Sequence, residues 1–182
     1  MSEPKPLLAP IKPPVAAARV YRDGRFVADG WRTLDATAEI PIDGRAILAL
    51  ARWRSEQLIL PKGVPLGVLV QPGEMLDAAT DDLDALALIA LAFPKFSDGR
   101  AYSTARRLRD QFAFRREIRA TGDVLLDQLP LMLRAGFDSF EIIHAPTIAA
   151  LERGTIPAVS RVYQSATDYA PAHWLSRRKD AG

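Results

Sequence analysis

The sequence predicts an α/β fold with a mainly parallel sheet, βαβ crossovers and an N-terminal β-hairpin. Strand-like and helix-like segments alternate between residues 86 and 154, the pattern of successive crossovers. Residues 86–93, LALIALAF, are apolar without alternation, which is typical of a parallel strand covered on both faces. Asp23-Gly24 lies between two short alternating runs, which indicates a hairpin turn. We expect either an open three-layer sheet or a curved sheet resembling half of a TIM barrel.

The first half of the chain contains shorter elements. In order, they are a hairpin within 19–31, a buried strand over 45–50, a short helix over 51–60 and a strand over 66–72. A single helix over 45–58 fits the second and third of these segments nearly as well. Residues 73–86 are acidic and predict a loop with a helical turn, and we interpret its aspartates as a solvated face rather than a metal site. They are Asp81, Asp82 and Asp84.

The second half supplies the βαβ units. After the strand over 86–93, the predicted elements are a helix over 101–112, a strand over 116–122, a helix over 123–135, a strand over 139–143 and a helix over 146–154. Pro130 lies inside the second of these helices and is expected to kink it. Gly136 follows the same helix and is expected to end it as the C′ residue.

The chain length of 182 residues predicts one domain, which we place at residues 19–160. Residues 1–18 are proline-rich and predict a disordered tail, and residues 161–182 predict an irregular C-terminal tail. The N-terminus lacks the continuous apolar segment of a signal peptide. No stretch reaches the roughly 18 apolar residues of a membrane helix, so we expect a cytoplasmic protein without membrane contact.

The composition argues against several functional classes. There is no cysteine, and the two histidines are His144 and His173, so thiolate chemistry, cysteine-bound zinc and a histidine-rich metal site are not expected. The formal net charge is only +2, and aromatic side chains are not interleaved with the basic ones, so nucleic acid is not an expected partner. No dinucleotide, P-loop or nucleophile-elbow motif is present. We therefore predict neither a metal nor a cofactor.

Polar residues follow three of the predicted parallel strands. The carboxyl ends of such strands meet at one edge, where ligands of open sheets and barrels bind. The predicted ligand-binding residues are Ser97, Asp98, Gly99, Arg100, Tyr102, Ser103, Arg119, Gly122, Gln128 and His144. The predicted acid–base residues are Asp123 and Asp127.

An anion is the ligand that this pattern favours. The segment SDGRAYS enters a helix, whose free N–H groups and dipole attract negative charge, and Arg100 adds a planar set of donors. A purely structural interpretation also fits. In that case Ser97 or Asp98 caps the helix, Arg100 pairs with Asp123, and His144 is a hydrogen-bonded structural residue.

Two long segments, FSDGRAYSTARRLRDQF and EIRATGDVLLDQLPLMLRAGFDSFE, together with LGVLVQP, resemble an uncharacterised bacterial family, a domain of unknown function. Its members are often encoded beside assimilatory sulfite reductase. The resemblance covers roughly residues 19–145. The matching positions are Asp98, Gly99, Arg100, Tyr102, Ser103, Arg107, Arg119, Gly122, Asp123, Asp127, Gln128, Gly136, Phe137 and Asp138. The sequence departs from the family pattern at Arg116, Leu126 and Ala135.

The resemblance implies a role in reductive sulfate assimilation without supplying a mechanism. One hypothesis is an accessory protein that binds sulfite reductase or its electron donor through the carboxyl edge and the arginine-rich helix. A second is a small enzyme or sensor acting on a sulfur oxyanion or a phosphorylated small molecule. A third is a carrier of flavin or nicotinamide whose binding site has no recognisable motif. We rank the accessory protein first, and only because of the resemblance.

Overall fold

A computed structural model describes residues 18–42, 44–61 and 63–155. Eight strands and four helices make up this part of the chain. In chain order they are β1 (Arg19–Arg22), β2 (Arg25–Val27), β3 (Trp31–Thr33), β4 (Arg45–Ala49), α1 (Leu50–Glu56), β5 (Leu66–Val70), β6 (Leu86–Phe93), α2 (Arg100–Asp110), β7 (Glu117–Gly122), α3 (Leu129–Ala135), β8 (Ser139–Ile142) and α4 (Ala145–Glu152). Two 3-10 turns lie at Leu83–Ala85 and Leu126–Gln128.

All eight strands belong to one sheet with the order β2-β1-β8-β7-β6-β5-β4-β3. Strands β3 to β8 pair in sequence order and run parallel. The β1–β2 hairpin joins β8 in antiparallel orientation. The sheet is curled into a half-barrel, which confirms the mainly parallel sheet with an N-terminal hairpin and decides between the two predicted shapes.

The curl is also required by the connection between the two edge strands. β2 and β3 lie at opposite edges of the sheet, yet only residues 28–30 separate them in the chain. Consecutive Cα atoms are about 3.8 Å apart, so Val27 and Trp31 lie within about 15 Å of each other. A flat sheet of eight strands, with roughly 4.8 Å between neighbours, would separate its edges by more than twice that distance. The link therefore forces the two edges of the sheet toward each other.

The sequential strand order also fixes where the helices lie. Each crossover between neighbouring parallel strands moves in the same direction, so right-handed connections place the helices on one face of the sheet, its convex face. The main core forms between this face and the helices. It includes Phe93, Leu108, Ile118, Met132 and Phe140, each no more than 1% exposed. Burial of side chains of this size stabilises the fold by about 1.5–3 kcal/mol each.

The concave face is divided into an apolar and a polar half. Ile47, Leu88 and Ala90 form a small buried cluster on β4 and β6. On β7 the alternate residues are polar, since Ile118 and Ala120 face the helices while Glu117 and Arg119 face the concave side. The polar half of the concave face thus comes from a period-2 pattern in the segment EIRATG.

Most of the predicted elements are confirmed, with two corrections. The predicted helix over 123–135 is a 3-10 turn followed by α3, and Pro130 lies in the first turn of α3, where its missing N–H costs nothing, instead of kinking a longer helix. Gly136 ends α3 at φ +103°, as predicted. Asp81 is not solvated: it is 4% exposed and accepts two hydrogen bonds from Arg54.

The predicted tails fall outside the described residues, apart from residue 18, and so does the end of the predicted domain. Among the residues described, no helix combines the length and the apolarity that crossing a bilayer requires.

Candidate functional site

The carboxyl ends of β6 and β7 are joined by a close backbone contact. The Asp123 N–H donates to the Phe93 carbonyl at 2.7 Å. Gly122 has φ +105°, and a Cβ at this position would lie 2.4 Å from the same carbonyl oxygen. Only glycine accepts both the left-handed backbone and this approach. The sequence pair Gly122-Asp123 therefore fixes how the two strand ends meet.

Two polar side chains then hold the loop that follows β6. The Asp123 carboxylate accepts from the Phe96 N–H at 3.1 Å. The Gln128 amide donates to the Phe96 carbonyl at 2.6 Å and accepts from the Leu125 N–H at 3.1 Å. Both backbone groups of Phe96 are thus bound by side chains from the next loop. Asp123 thus holds this loop and does not begin the 3-10 turn that follows, which starts after Leu125.

The result is an aromatic side chain that is exposed and anchored. Phe96 is 54% exposed, although its backbone is held on both sides. Leu131, one helical turn after Gln128 in α3, is a second exposed apolar side chain at 55% exposure. Isolated apolar residues are common on protein surfaces, but an aromatic ring whose backbone is fixed by two polar side chains costs little entropy to bury against a partner.

The predicted anion site at the start of α2 already contains a negative charge. Asp98 accepts from Arg100 Nε at 3.0 Å and Nη2 at 2.7 Å, and also from the Arg100 backbone N–H at 3.1 Å. These hydrogen bonds lower the pKa of Asp98 to about 2, so the carboxylate is charged at neutral pH. The structural interpretation expected Arg100 to pair with Asp123, and this is wrong, because Arg100 pairs with Asp98. An incoming anion would have to displace this carboxylate.

Tyr102 belongs more to the core than to the surface. Its ring makes edge contacts with Phe93 at 5.5 Å and with Phe137 at 6.3 Å between centroids. Burial raises the pKa of the Tyr102 hydroxyl, and the nearby carboxylate of Asp127 raises it further. Tyr102 is therefore a neutral phenol at physiological pH, and Asp127 is its exposed neighbour.

Of the other predicted residues at this edge, Ser97 and Ser103 are exposed and Gly99 precedes α2. His144 is the N-cap residue of α4, and its Nδ1 lies 2.8 Å from the Thr147 hydroxyl. This contact within one helical turn positions the imidazole at the carboxyl end of β8.

Arg119 lies away from the carboxyl edge. It is central in β7 on the concave face, and it is 2% exposed. Its guanidinium contacts Asp29 at 2.7 Å and Glu117 at 2.9 Å. Burial lowers the pKa of Arg119, but the hydrogen bonds and charges of Asp29 and Glu117 outweigh this and raise it overall. The structure thus separates Arg119 from the other predicted site residues.

The predicted site did not include four polar residues of the concave face and its carboxyl end, which are Asp29, Glu117, Thr121 and Glu141. Thr121 donates to Glu141 at 3.0 Å across neighbouring strands, while Glu117 and Asp29 bind Arg119. The alternation in EIRATG could have identified Glu117 and Thr121 as residues of one face. Nothing local could have identified Asp29, because it is 90 residues from Arg119. Within the described residues, no group of three His, Asp or Glu residues could hold a metal ion.

Comparison with known proteins assigns the chain to a family. The model of DUF934, described as bacterial proteins of unknown function, matches residues 67–174, more than half of the chain. The chain belongs to the DUF934 family. No curated protein shows significant sequence similarity to it.

The DUF934 match contains every residue that shapes the loop around Phe96, including Gly122, Asp123 and Gln128. The β1–β2 hairpin and Asp29 precede the matched segment. The family match therefore covers the strands from β5 onward that form the carboxyl edge, whereas Asp29, which contacts Arg119, lies outside it.

Proposed function

We propose that this DUF934 protein is an accessory protein of assimilatory sulfite reduction and that it binds a partner reductase, or the reductase's electron donor, through the carboxyl edge of its sheet. The choice of partner rests on the resemblance of SDGRAYS and TGDVLLDQ to a family often encoded beside sulfite reductase. The choice of surface rests on one observation: Phe96 is exposed, while its backbone is bound by Asp123 and Gln128.

An anchored aromatic residue is what a protein interface uses at its centre. Aromatic residues are enriched among the side chains that contribute most to protein–protein binding. Phe96 needs no ordering of its loop on binding, because the Asp123 carboxylate and the Gln128 amide already fix it. Charged residues flank it on both sides in the chain, Lys95 before and Asp98 after, which supplies a polar rim.

The same edge gives less support to an enzyme or an oxyanion sensor. Asp98 occupies the start of α2 with its own charge and uses two of the Arg100 nitrogens. The Asp123 carboxylate, proposed from sequence as an acid or base, is engaged by a backbone N–H. These contacts favour a docking role for the residues over proton transfer.

The test is binding of the purified full chain to purified sulfite reductase, measured by biolayer interferometry. We expect Phe96→Ala to weaken binding at least tenfold, since truncation of a central aromatic residue commonly costs about 2 kcal/mol or more. Leu58→Ala is the matched control, because Leu58 is 96% exposed and follows α1 near the opposite, amino edge of the sheet. This control is expected to change the affinity by less than twofold.

The outcomes separate the competing functions. Loss of binding in Phe96→Ala but not in Leu58→Ala supports the docking function at this edge. Equal affinity of both variants would show that Phe96 does not lie in the docking surface. Absence of binding to both the reductase and its electron donor would show that the proposed partner is wrong. A sulfite or sulfate response that depends on Arg100 would instead support the sensor or enzyme.

A further inference from the structure

A pocket lies at the amino edge of the sheet, opposite the carboxyl edge. Its volume is about 300 Å³. It lies where β7 and β8 begin and where β1 turns into β2, because Glu117 starts β7 and Arg22 pairs with Ser139, the first residue of β8. The lining residues are Arg22, Asp23, Arg115, Arg116, Glu117 and Asp138.

The carboxylates that line the pocket are already bound by cations or donors. Arg22 lies 3.9 Å from Asp23 and also donates to Glu117 at 3.3 Å. Glu117 accepts from the buried Arg119 at 2.9 Å and from the Ser139 hydroxyl at 2.6 Å. Asp138 is bound by the buried Arg109 and accepts from the Ile118 N–H at 2.8 Å. Their charge is therefore largely directed toward the interior and offsets the buried guanidiniums.

Two arginines of the pocket have no such compensation. Arg115 donates to the Arg109 carbonyl at 3.3 Å, and Arg116 donates to the carbonyls of Asp84 and Leu86. Carbonyl groups satisfy hydrogen bonds but leave the positive charge in place. Among the described residues, neither guanidinium has a carboxylate within 4.0 Å, and both side chains belong to exposed residues.

The backbone that carries these arginines is held firmly. The buried Arg109 donates through Nη1 to the carbonyls of Phe114 at 2.6 Å and of Arg116 at 2.8 Å, and through Nε to the carbonyl of Gly136 at 3.0 Å. A Cβ at Gly136 would lie 2.6 Å from Arg109 Cγ, which shows how closely this arginine packs. The wall of the pocket is therefore preorganised, and binding need not order the loop between α2 and β7.

We propose that this pocket binds a small molecule through a phosphate or sulfate group, held by Arg115 and Arg116. Guanidinium groups present planar pairs of donors that match such oxyanions. A volume of about 300 Å³ is at the small end of ligand sites and exceeds what a single tetrahedral anion fills. The anionic group is therefore expected to be part of a larger molecule. This pocket is independent of the proposed docking edge.

The test is isothermal titration calorimetry of the full chain in a low-salt buffer free of phosphate and sulfate. The probes are AMP, inorganic phosphate, inorganic sulfate and uncharged adenosine. We expect AMP to bind more tightly than either inorganic anion, and adenosine to give no heat. If an inorganic anion binds as tightly as AMP, the pocket takes the free ion, and the proposed larger ligand is wrong.

Substitutions locate the site. Arg115→Glu is expected to weaken AMP binding at least tenfold, and Arg115→Gln, which is milder for folding, at least threefold. Arg106→Glu is the matched control, because Arg106 is an exposed arginine of α2 outside the pocket, and it is expected to change the affinity by less than twofold. Three results would overturn the proposal: no binding of any anion at millimolar concentration, equal weakening by Arg106→Glu, or a loss caused by Arg100→Ala with Arg115→Gln unaffected.

Discussion

The carboxylate of Asp29 lies 2.7 Å from the guanidinium of Arg119, and this pair joins two parts of the chain that are 90 residues apart. Asp29 belongs to the link between the two edge strands of the sheet, and Arg119 belongs to a central strand. The link therefore bends over the concave face and supplies a countercharge to an arginine that is 2% exposed. The short link that curls the sheet thus also brings a second countercharge to Arg119, beside Glu117.

Replacement of Asp29 should destabilise the protein. Asp29→Asn leaves the buried Arg119 with Glu117 as its remaining carboxylate, and we expect the free energy of unfolding to fall by about 1–3 kcal/mol. Urea denaturation followed by circular dichroism measures this change. Asp35→Asn, at an exposed residue of the following segment, is the control and should stay within about 0.5 kcal/mol. A similar loss in both variants would show that the Arg119 contact is not responsible.

Two glycines near the carboxyl edge should respond differently to alanine. Gly122→Ala places a Cβ 2.4 Å from a main-chain oxygen at φ +105°, so we expect a loss of more than about 2 kcal/mol. Gly99→Ala meets nothing within 4 Å and should change stability by less than about 0.5 kcal/mol. Thermal denaturation of the two variants provides the comparison. Equal melting temperatures would show that the close contact between Gly122 and the Phe93 carbonyl does not contribute to stability.

Asp81 should make stability depend on pH in the acidic range. The hydrogen bonds from Arg54 lower the pKa of Asp81, although burial of the carboxyl opposes them. A carboxyl with a depressed folded pKa stabilises the native state above its unfolded pKa of about 3.9, and this contribution is lost as pH falls through the folded pKa. Asp81→Asn should thus be less stable than the native chain at pH 7 by about 1–3 kcal/mol.

The difference between Asp81→Asn and the native chain should shrink below about pH 4, because the Asp81 carboxyl of the unfolded chain then takes up its proton while the folded one stays ionised to a lower pH. Urea titrations at pH 7, 4 and 3 measure it. Asp82→Asn is an exposed neighbour that serves as the control. A difference that stays constant over this range would contradict an ionised Asp81 paired with Arg54.

The anchoring of Phe96 predicts protection of its amide from exchange. Removal of the acceptor in Asp123→Ala should speed hydrogen exchange at the Phe96 N–H, while global stability changes little, because the loop is at the surface. Asp127→Ala is the control, since Asp127 is exposed and lies in the same turn. Hydrogen exchange followed by NMR resolves the single amide. Fast exchange at Phe96 in the native chain would contradict a fixed loop.

Local sequence signals specify most of the elements and their order. The apolar run LALIALAF, the turn pair Asp23-Gly24 and the helix-ending Gly136 act through local sterics and burial, which the neighbouring residues specify. The same reasoning placed Gly122 and Asp123 at the carboxyl end of a parallel strand, where ligands of such sheets bind. It could not identify the role of Asp123 in holding Phe96, since the contact joins residues 27 apart.

Which charges form pairs depends on the tertiary structure. Arg100 was expected to pair with Asp123 in the structural interpretation, but it pairs with Asp98, two residues away. Arg119 was predicted at the carboxyl edge. Alternation along β7 instead places its side chain on the concave face, where Asp29, in the three-residue link between β2 and β3, contacts it. Local patterns specify the face on which a side chain lies. The partner on that face depends on how far the sheet curls, which is a property of all eight strands together.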